Sequence, residues 1–213
     1  MRVYHLLSAE HALSDVALRR IRLSRYGDLN DPFELFAANM GDRHVRRAMR
    51  AWKDEFHRTK GLLCFSRNWA NPVLWSHYAA KHRGICLGFD LRDDCALSVE
   101  YSDQRLPVEF TDGDPSKDLA PEYVARLVRT KYVHWQYEEE IRVIVQLDHT
   151  TVEDGSYFLP FSEQVALREV ILGPLCSIPV DAVRALVNSL YPGVAVNRHR
   201  KLIQSRLISD IEN

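Results

Sequence analysis

Long apolar runs are missing from this chain: none exceeds four or five of its 213 residues, whereas a transmembrane helix needs about 20. An excess of one charge is missing too, since 28 basic residues stand against 29 acidic ones, nine histidines aside. That balance excludes a chain-wide attraction to nucleic acid or membrane and leaves only a local basic patch open. Cysteine is sparse and scattered. Cys64, Cys86, Cys95 and Cys176 form no C-x-x-C pair, which excludes the usual structural zinc spacings and gives no disulfide framework. Cys64 and Cys86 sit in apolar, strand-like runs and read as buried, reduced thiols. Glycine-rich phosphate loops, a G-x-S-x-G elbow and an H-E-x-x-H helix are all absent, which removes the commonest kinase, hydrolase and metalloprotease signatures. The opening Met1-Arg2-Val3-Tyr4-His5 lacks the layout of a secretory signal, so a cytoplasmic location is the expectation.

What is present fits one large domain spanning 1–213, with no repeat, low-complexity tract or Gly/Ser linker to divide it. Such a chain buries roughly 70% of its unfolded surface. Residues 2–7 alternate weakly and predict a strand. Ser8 caps a helix through Arg19, where Leu13, Val16 and Ala17 keep helical spacing. Ile21–Ser24 reads as a strand, and 42–58 as a helix with Val45, Met49, Trp52 and Phe56 inward. Strands are expected at Gly61–Ser66, Gly84–Phe89, Ser98–Tyr101, Val108–Phe110, Glu138–Leu147, Ser156–Phe161, Val170–Gly173 and Val194–Val196. Helices are expected at Pro72–Lys81, Ser116–Lys131 and Pro179–Leu190. Short strands scattered among helices, without strict alternation, predict an α+β fold with a mixed or antiparallel sheet; a parallel α/β sheet is the weaker alternative.

Four constellations carry chemistry. The segment Trp135-Gln136-Tyr137-Glu138-Glu139-Glu140-Ile141-Arg142 runs into the β-branched Val143-Ile144-Val145. Side chains alternate on a strand, so Glu138, Glu140 and Arg142 share a face, either as a neutralised surface ladder or as the charged wall of a pocket. Tyr4-His5 lies in the first strand, where a lone histidine is ordinarily structural. Asn30-Asp31-Pro32-Phe33-Glu34 forms a tight turn that would hold Glu34 where a ligand could meet it. Cys64-Phe65-Ser66 precedes Trp75-Ser76-His77-Tyr78, and Trp75 and Tyr78 share a helix face, either to pack the helix or to clamp a planar ring.

Taken together these motifs resemble the bacterial domain of unknown function numbered twenty-nine seventy-one. Its pattern includes an N-D-P-F-E turn, a C-F-S strand, a W-x-H-Y-A-x-x-H-x-G-x-C-x-G-F-D block and a W-x-x-E-x-E-x-R segment. Here these are Asn30 to Glu34, Cys64 to Ser66, Trp75 to Asp90, and Trp135 to Arg142. The likeness covers about residues 3–175 and leaves a C-terminal helix-strand extension over 176–213.

A more distant similarity is to the ADP-ribosyltransferases, whose marks are a histidine or arginine in the first strand, a serine- or aromatic-containing second motif and a late E-x-E. His5, Ser66 with Trp75 or Tyr78, and Glu138-x-Glu140 occupy those places. The resemblance implies a split-sheet α+β domain flanked by helices that binds NAD in a cleft. Glu140 would stabilise the oxocarbenium-like cation, Glu138 would position or deprotonate the acceptor, and His5 would hold ribose hydroxyls. Tyr4, Ser66, Trp75, Tyr78, Asn30, Glu34 and Arg142 complete the NAD-binding set, with no metal. The implied activity is ADP-ribosyl transfer to a nucleic acid or protein, in phage defence or as a toxin. Two alternatives stay open: a non-catalytic nucleotide- or peptide-binding module, and a metal-dependent nuclease using Asp31, Glu34, Glu138 and Glu140.

Overall fold

The computed structural model describes residues 1–29, 41–114, 118–147 and 152–199. Strand β1 (Arg2–Leu7) is followed by helix α1 (Ala9–Leu18), β2 (Arg20–Leu23) and α2 (Arg43–Thr59). Next come β3 (Lys60–Ser66), α3 (Pro72–Tyr78), β4 (Ile85–Leu91), β5 (Leu97–Ser98) and β6 (Glu100–Ser102). Then α4 (Pro121–Leu127), β7 (Thr130–Tyr132), β8 (Glu140–Gln146) and β9 (Val152–Glu153) follow. The described chain closes with β10 (Ser156–Pro160), β11 (Val165–Leu172), α5 (Val180–Leu190) and β12 (Ala195–Arg198).

The starts of α1, α2 and α3 are set by short polar side chains satisfying free amides. Ser8 accepts from His11, Asp42 from His44 and Val45, and Asn71 from Val73 beside Pro72. The main sheet has the order β12-β11-β4-β1-β3-β8-β5, and a smaller one the order β2-β10-β9. β11 pairs with β12 in parallel while the remaining ladders of the main sheet run antiparallel, so the protein is a mixed α/β single domain. Helices cover both faces. On one, α1 and α5 pack Ala12, Val16, Val183 and Val187 against Val3, Leu87, Phe89 and Val170. On the other, α3 sets Leu74 and Trp75 against Leu6, Cys86 and Ile171, while α2 and α4 form an adjoining layer through Val45, Met49, Tyr123 and Leu127. Burying each Val, Leu, Ile, Phe or Met among these contributes roughly 1.5–3 kcal/mol.

One ladder is incomplete. β1 pairs with β4 along its whole length, from Arg2↔Asp90 to Leu7↔Ile85, but meets β3 only at Tyr4↔Ser66. Lower on the same edge of β3, Ser24 takes over: it exchanges backbone hydrogen bonds of 2.9 and 2.8 Å with Leu62. The sheet is therefore open between β1 and the residue that follows β2.

Several expected boundaries are corrected. The helix expected over Pro72–Lys81 stops at Tyr78, because Ala80, Lys81 and His82 all take left-handed conformations (φ 46°, 54° and 69°) that reverse the chain towards β4. In place of a helix over Ser116–Lys131 there is a seven-residue helix with Pro121 in its first turn, and Lys131 lies in β7; residues 115–117 are outside the described set. Val108–Phe110 forms no strand, only the isolated bridge Phe110↔Leu119. The strand expected from Glu138 begins at Glu140, since Glu138 ends a 3₁₀ turn and Glu139 is left-handed (φ 45°). The expected C-terminal helix and strand are present as α5 and β12, and β12 adds to the main sheet beside β11.

The chain reversal after α3 requires a residue without a side chain. A Cβ on Gly84 would lie 2.1 Å from the Leu7 carbonyl oxygen, and backbone cannot move aside. Gly84→Ala is expected to lower stability by about 3 kcal/mol or more, read as a fall in Tm; an unchanged Tm would contradict this packing.

Candidate functional site

A cavity of about 290 Å³ occupies the opening between β1 and β3. In a closed ladder one face of each strand would reach such a site. Here both faces do: Tyr4, His5 and Leu6 of β1 and Cys64, Phe65 and Ser66 of β3 all border it. Leu74 and Tyr78 of α3 close one side, Ser24, Asp28 and Leu29 another, and Lys131, Glu138 and Glu140 form a charged wall.

That wall is a buried network. Lys131 Nζ donates to Glu138 Oε2 at 2.6 Å and to Glu140 Oε2 at 3.0 Å. Arg142 donates from Nε to Glu140 Oε1 at 2.8 Å and from Nη2 to Oε2 at 3.1 Å, and from Nη1 to the Val128 carbonyl at 2.9 Å. Tyr78 donates its hydroxyl proton to Glu138 Oε1. The Glu140 amide donates to the Tyr101 hydroxyl, and Lys131 lies over the Trp135 ring. Two carboxylates and two cations thus sum to zero charge, the arrangement a low-dielectric interior tolerates. Burial alone would raise the Glu140 pKa. The adjacent Arg142 guanidinium, Lys131 and Cys64 outweigh it and hold the carboxyl at about 2, so Glu140 is a permanent anion.

Opposite the wall, His5 Nδ1 lies 2.9 Å from the Cys64 carbonyl oxygen. A carbonyl only accepts, so Nδ1 carries the proton and Nε2 keeps its lone pair. Burial pushes the imidazole below its ordinary value, partly opposed by that bond, so His5 is neutral near pH 7. Cys64 faces Glu140, and its thiol is pushed well above the usual range by burial and then by the Glu140 charge. It is a protonated neighbour of the carboxylate, not a nucleophile.

The structure thus gathers Tyr4, His5, Ser66, Tyr78, Glu138 and Glu140 around one space. Trp75 is placed differently: it is fully buried, its indole donates to the Trp69 carbonyl at 2.6 Å, and it packs against His199, so it does not border the cavity, whereas Tyr78 and Tyr4 do. Arg142 is also interior and acts through Glu140 rather than at the cavity. Asn30 and Glu34, with the rest of the expected turn, lie outside the described residues; Asp28 and Leu29 just before it border the cavity. Glu138 joins the wall although it is not on the strand, because the left-handed Glu139 and the bond from Lys131 bring it back.

Lys131, which precedes Trp135 and the acidic run in sequence, lies in β7 rather than at the end of a helix, and this carries its ammonium into the charged wall. Tyr101, whose hydroxyl accepts from the Glu140 amide, carries no signal in the sequence pattern. Among the described residues no group of three or more His, Cys, Asp and Glu is placed to hold a metal ion. Among the described residues, too, no helix is long and apolar enough to cross a membrane.

The fold and site define a mixed-sheet protein with a charged cavity at an interrupted ladder. Residues 74–143, which run from α3 into β8 and include the whole charged wall, match the family described as "Protein of unknown function (DUF2971)". No curated protein and no solved structure matches.

The network makes stability depend on acid. Glu140 has its pKa lowered on folding from 4.5 to about 2, so its contribution is fully present above pH 4.5 and is lost as pH falls towards 2. That acid limb amounts to about 3 kcal/mol and should flatten in Glu140→Gln, measured by urea unfolding between pH 6 and about 2.5. Removing a cation instead exposes the buried anion: Arg142→Ala is expected to cost about 3–5 kcal/mol at pH 7.

Proposed function

We propose that the cavity is a site of NAD-dependent ADP-ribosyl transfer to a nucleic-acid or protein acceptor, the activity of the ADP-ribosyltransferases that the chain resembles. One observation carries this reading: a neutral histidine, aromatic rings and a permanently ionised glutamate from four separate stretches border the same space. NAD supplies, when bound, an ADP-ribosyl group whose bond to nicotinamide is cleaved with positive charge developing at the ribose.

The residues present fit that chemistry. His5 offers Nε2 as a hydrogen-bond acceptor for a ribose hydroxyl, with its tautomer fixed by the Cys64 carbonyl. Tyr78 and Tyr4 supply ring surface for a planar heterocycle. Glu140 presents a fixed negative charge that needs no proton movement, the preorganised form of electrostatic catalysis. Glu138, held by Tyr78 and Lys131, is the group placed to orient an acceptor. Small-molecule sites span roughly 300–1,000 Å³, so about 290 Å³ suits the nicotinamide–ribose half.

The same network favours a second reading. Both oxygens of Glu140 already receive hydrogen bonds from Arg142 and Lys131, which offsets its charge towards a ligand. A nucleotide-binding module without turnover uses the cavity equally well.

Nicotinamide release from NAD, followed by chromatography with and without a mixed RNA and protein acceptor pool, separates the two. Transfer predicts release that falls by 10²–10³-fold in Glu140→Gln, assayed well below that variant's Tm. His5→Ala should weaken NAD binding roughly tenfold, one hydrogen bond's worth. A rise in Tm with NAD but no release selects the binding module. Neither release nor a Tm shift would overturn both readings.

A further inference from the structure

The first half of α2 reads Arg43-His44-Val45-Arg46-Arg47-Ala48-Met49-Arg50. Val45 and Met49 turn inward against Leu119, Tyr123 and Leu127, which leaves all four arginines exposed. Arg43, Arg47 and Arg50 follow helical spacing and form one stripe along about 10 Å of the axis. None of these three makes an ion pair or side-chain hydrogen bond with a described residue. The first acid along the helix is Asp54, and Asp42 is engaged in capping the amides of His44 and Val45.

This charge is placed where it raises the energy of the free protein. Arg47 has Arg43 four residues before it and Arg50 three residues after it, so the three stripe arginines are like-charge neighbours. Arg43 also lies in the first turn, at the positive end of the macrodipole. A face that served solubility alone would mix signs, as the chain does overall with 28 basic and 29 acidic residues. An external polyanion relieves both terms.

The surroundings select which polyanion. The large hydrophobic side chains exposed among the described residues, Met1, Leu18, Val73, Tyr132, Val152 and Leu175, all lie off this helix. A membrane-surface helix needs an apolar face to insert, and a protein interface needs an apolar or aromatic centre. Single-stranded nucleic acid is held largely by aromatic stacking, which this arginine face does not offer. Guanidinium forks in a row match repeated phosphates. We infer that the arginine stripe of α2 is a docking surface for the phosphate backbone of double-stranded nucleic acid, bound without regard to sequence. The inference stands apart from the reading of the cavity.

The test is fluorescence anisotropy of short labelled RNA and DNA duplexes with the full chain, from about 50 to 200 mM salt. Binding should weaken linearly in log salt. R43Q/R47Q/R50Q, folded by circular dichroism, should lose at least about tenfold in affinity and reduce the salt slope by about three, one per phosphate contact. R43K/R47K/R50K should keep most of the slope. Absence of binding at 50 mM salt, or an unchanged slope in the glutamine variant, would overturn the proposal. So would competition by single strands, polyglutamate or phosphatidylserine vesicles that equals competition by unlabelled duplex.

Discussion

The chemistry of this protein depends on one interrupted ladder. β3 is paired with β8 along its whole length, but its other edge is shared between Tyr4 at one end and Ser24 at the other. Paired strands lie about 4.8 Å apart and leave no room for a ligand. Where β1 departs from β3, that spacing is released, and side chains from both strand faces reach one space. The bond between His5 and the Cys64 carbonyl satisfies a backbone acceptor at the gap and fixes the imidazole tautomer in doing so. An element of sheet geometry therefore sets the protonation of a site residue.

The charged wall has a different logic. Isolated buried charges are too unfavourable to persist, and Glu140 persists because Arg142, two residues on along the same strand face, and Lys131 from β7 surround it. Such a cluster is poor evidence for stability, since well-packed apolar side chains would do as well. It is better evidence for specificity of structure: each member bonds to at least one other, so the 3₁₀ turn before β8, β7 and β8 are locked in one arrangement. The same ties mean that Glu140 cannot be exchanged for glutamine as a neutral change, although the two side chains are nearly isosteric. The exchange leaves Lys131 and Arg142 with one anion between them.

Most elements were legible because their signals are local. Ser8, Asp42 with its helical spacing, Pro72 and Pro179 mark helix starts that the structure keeps, and the β-branched or apolar runs at Gly61–Ser66 and Val143–Val145 lie in strands. The errors fall where backbone conformation, not composition, decides. Nothing in Ala80-Lys81-His82 announces three left-handed residues in succession, and an acidic triplet does not reveal that Glu139 bends the chain before β8. The candidate site was half legible. Glu140 and Arg142 sharing a face follows from alternation, whereas the helical spacing of Trp75 and Tyr78 suits packing and ring stacking alike, and only tertiary burial decides that Trp75 packs.

Local sequence, then, determined the α+β class, the helix caps, the strand carrying Glu140 and Arg142, and an overall charge so balanced that only a patch could attract a polyanion. Tertiary structure decided which of those residues meet. His5, Ser66, Tyr78 and Lys131 are separated by up to 126 positions, and no periodicity encodes contact across such distances. Alternation tells which face a side chain takes; whether that face closes against a neighbour or opens onto a cavity is set by strand order and by where one ladder stops.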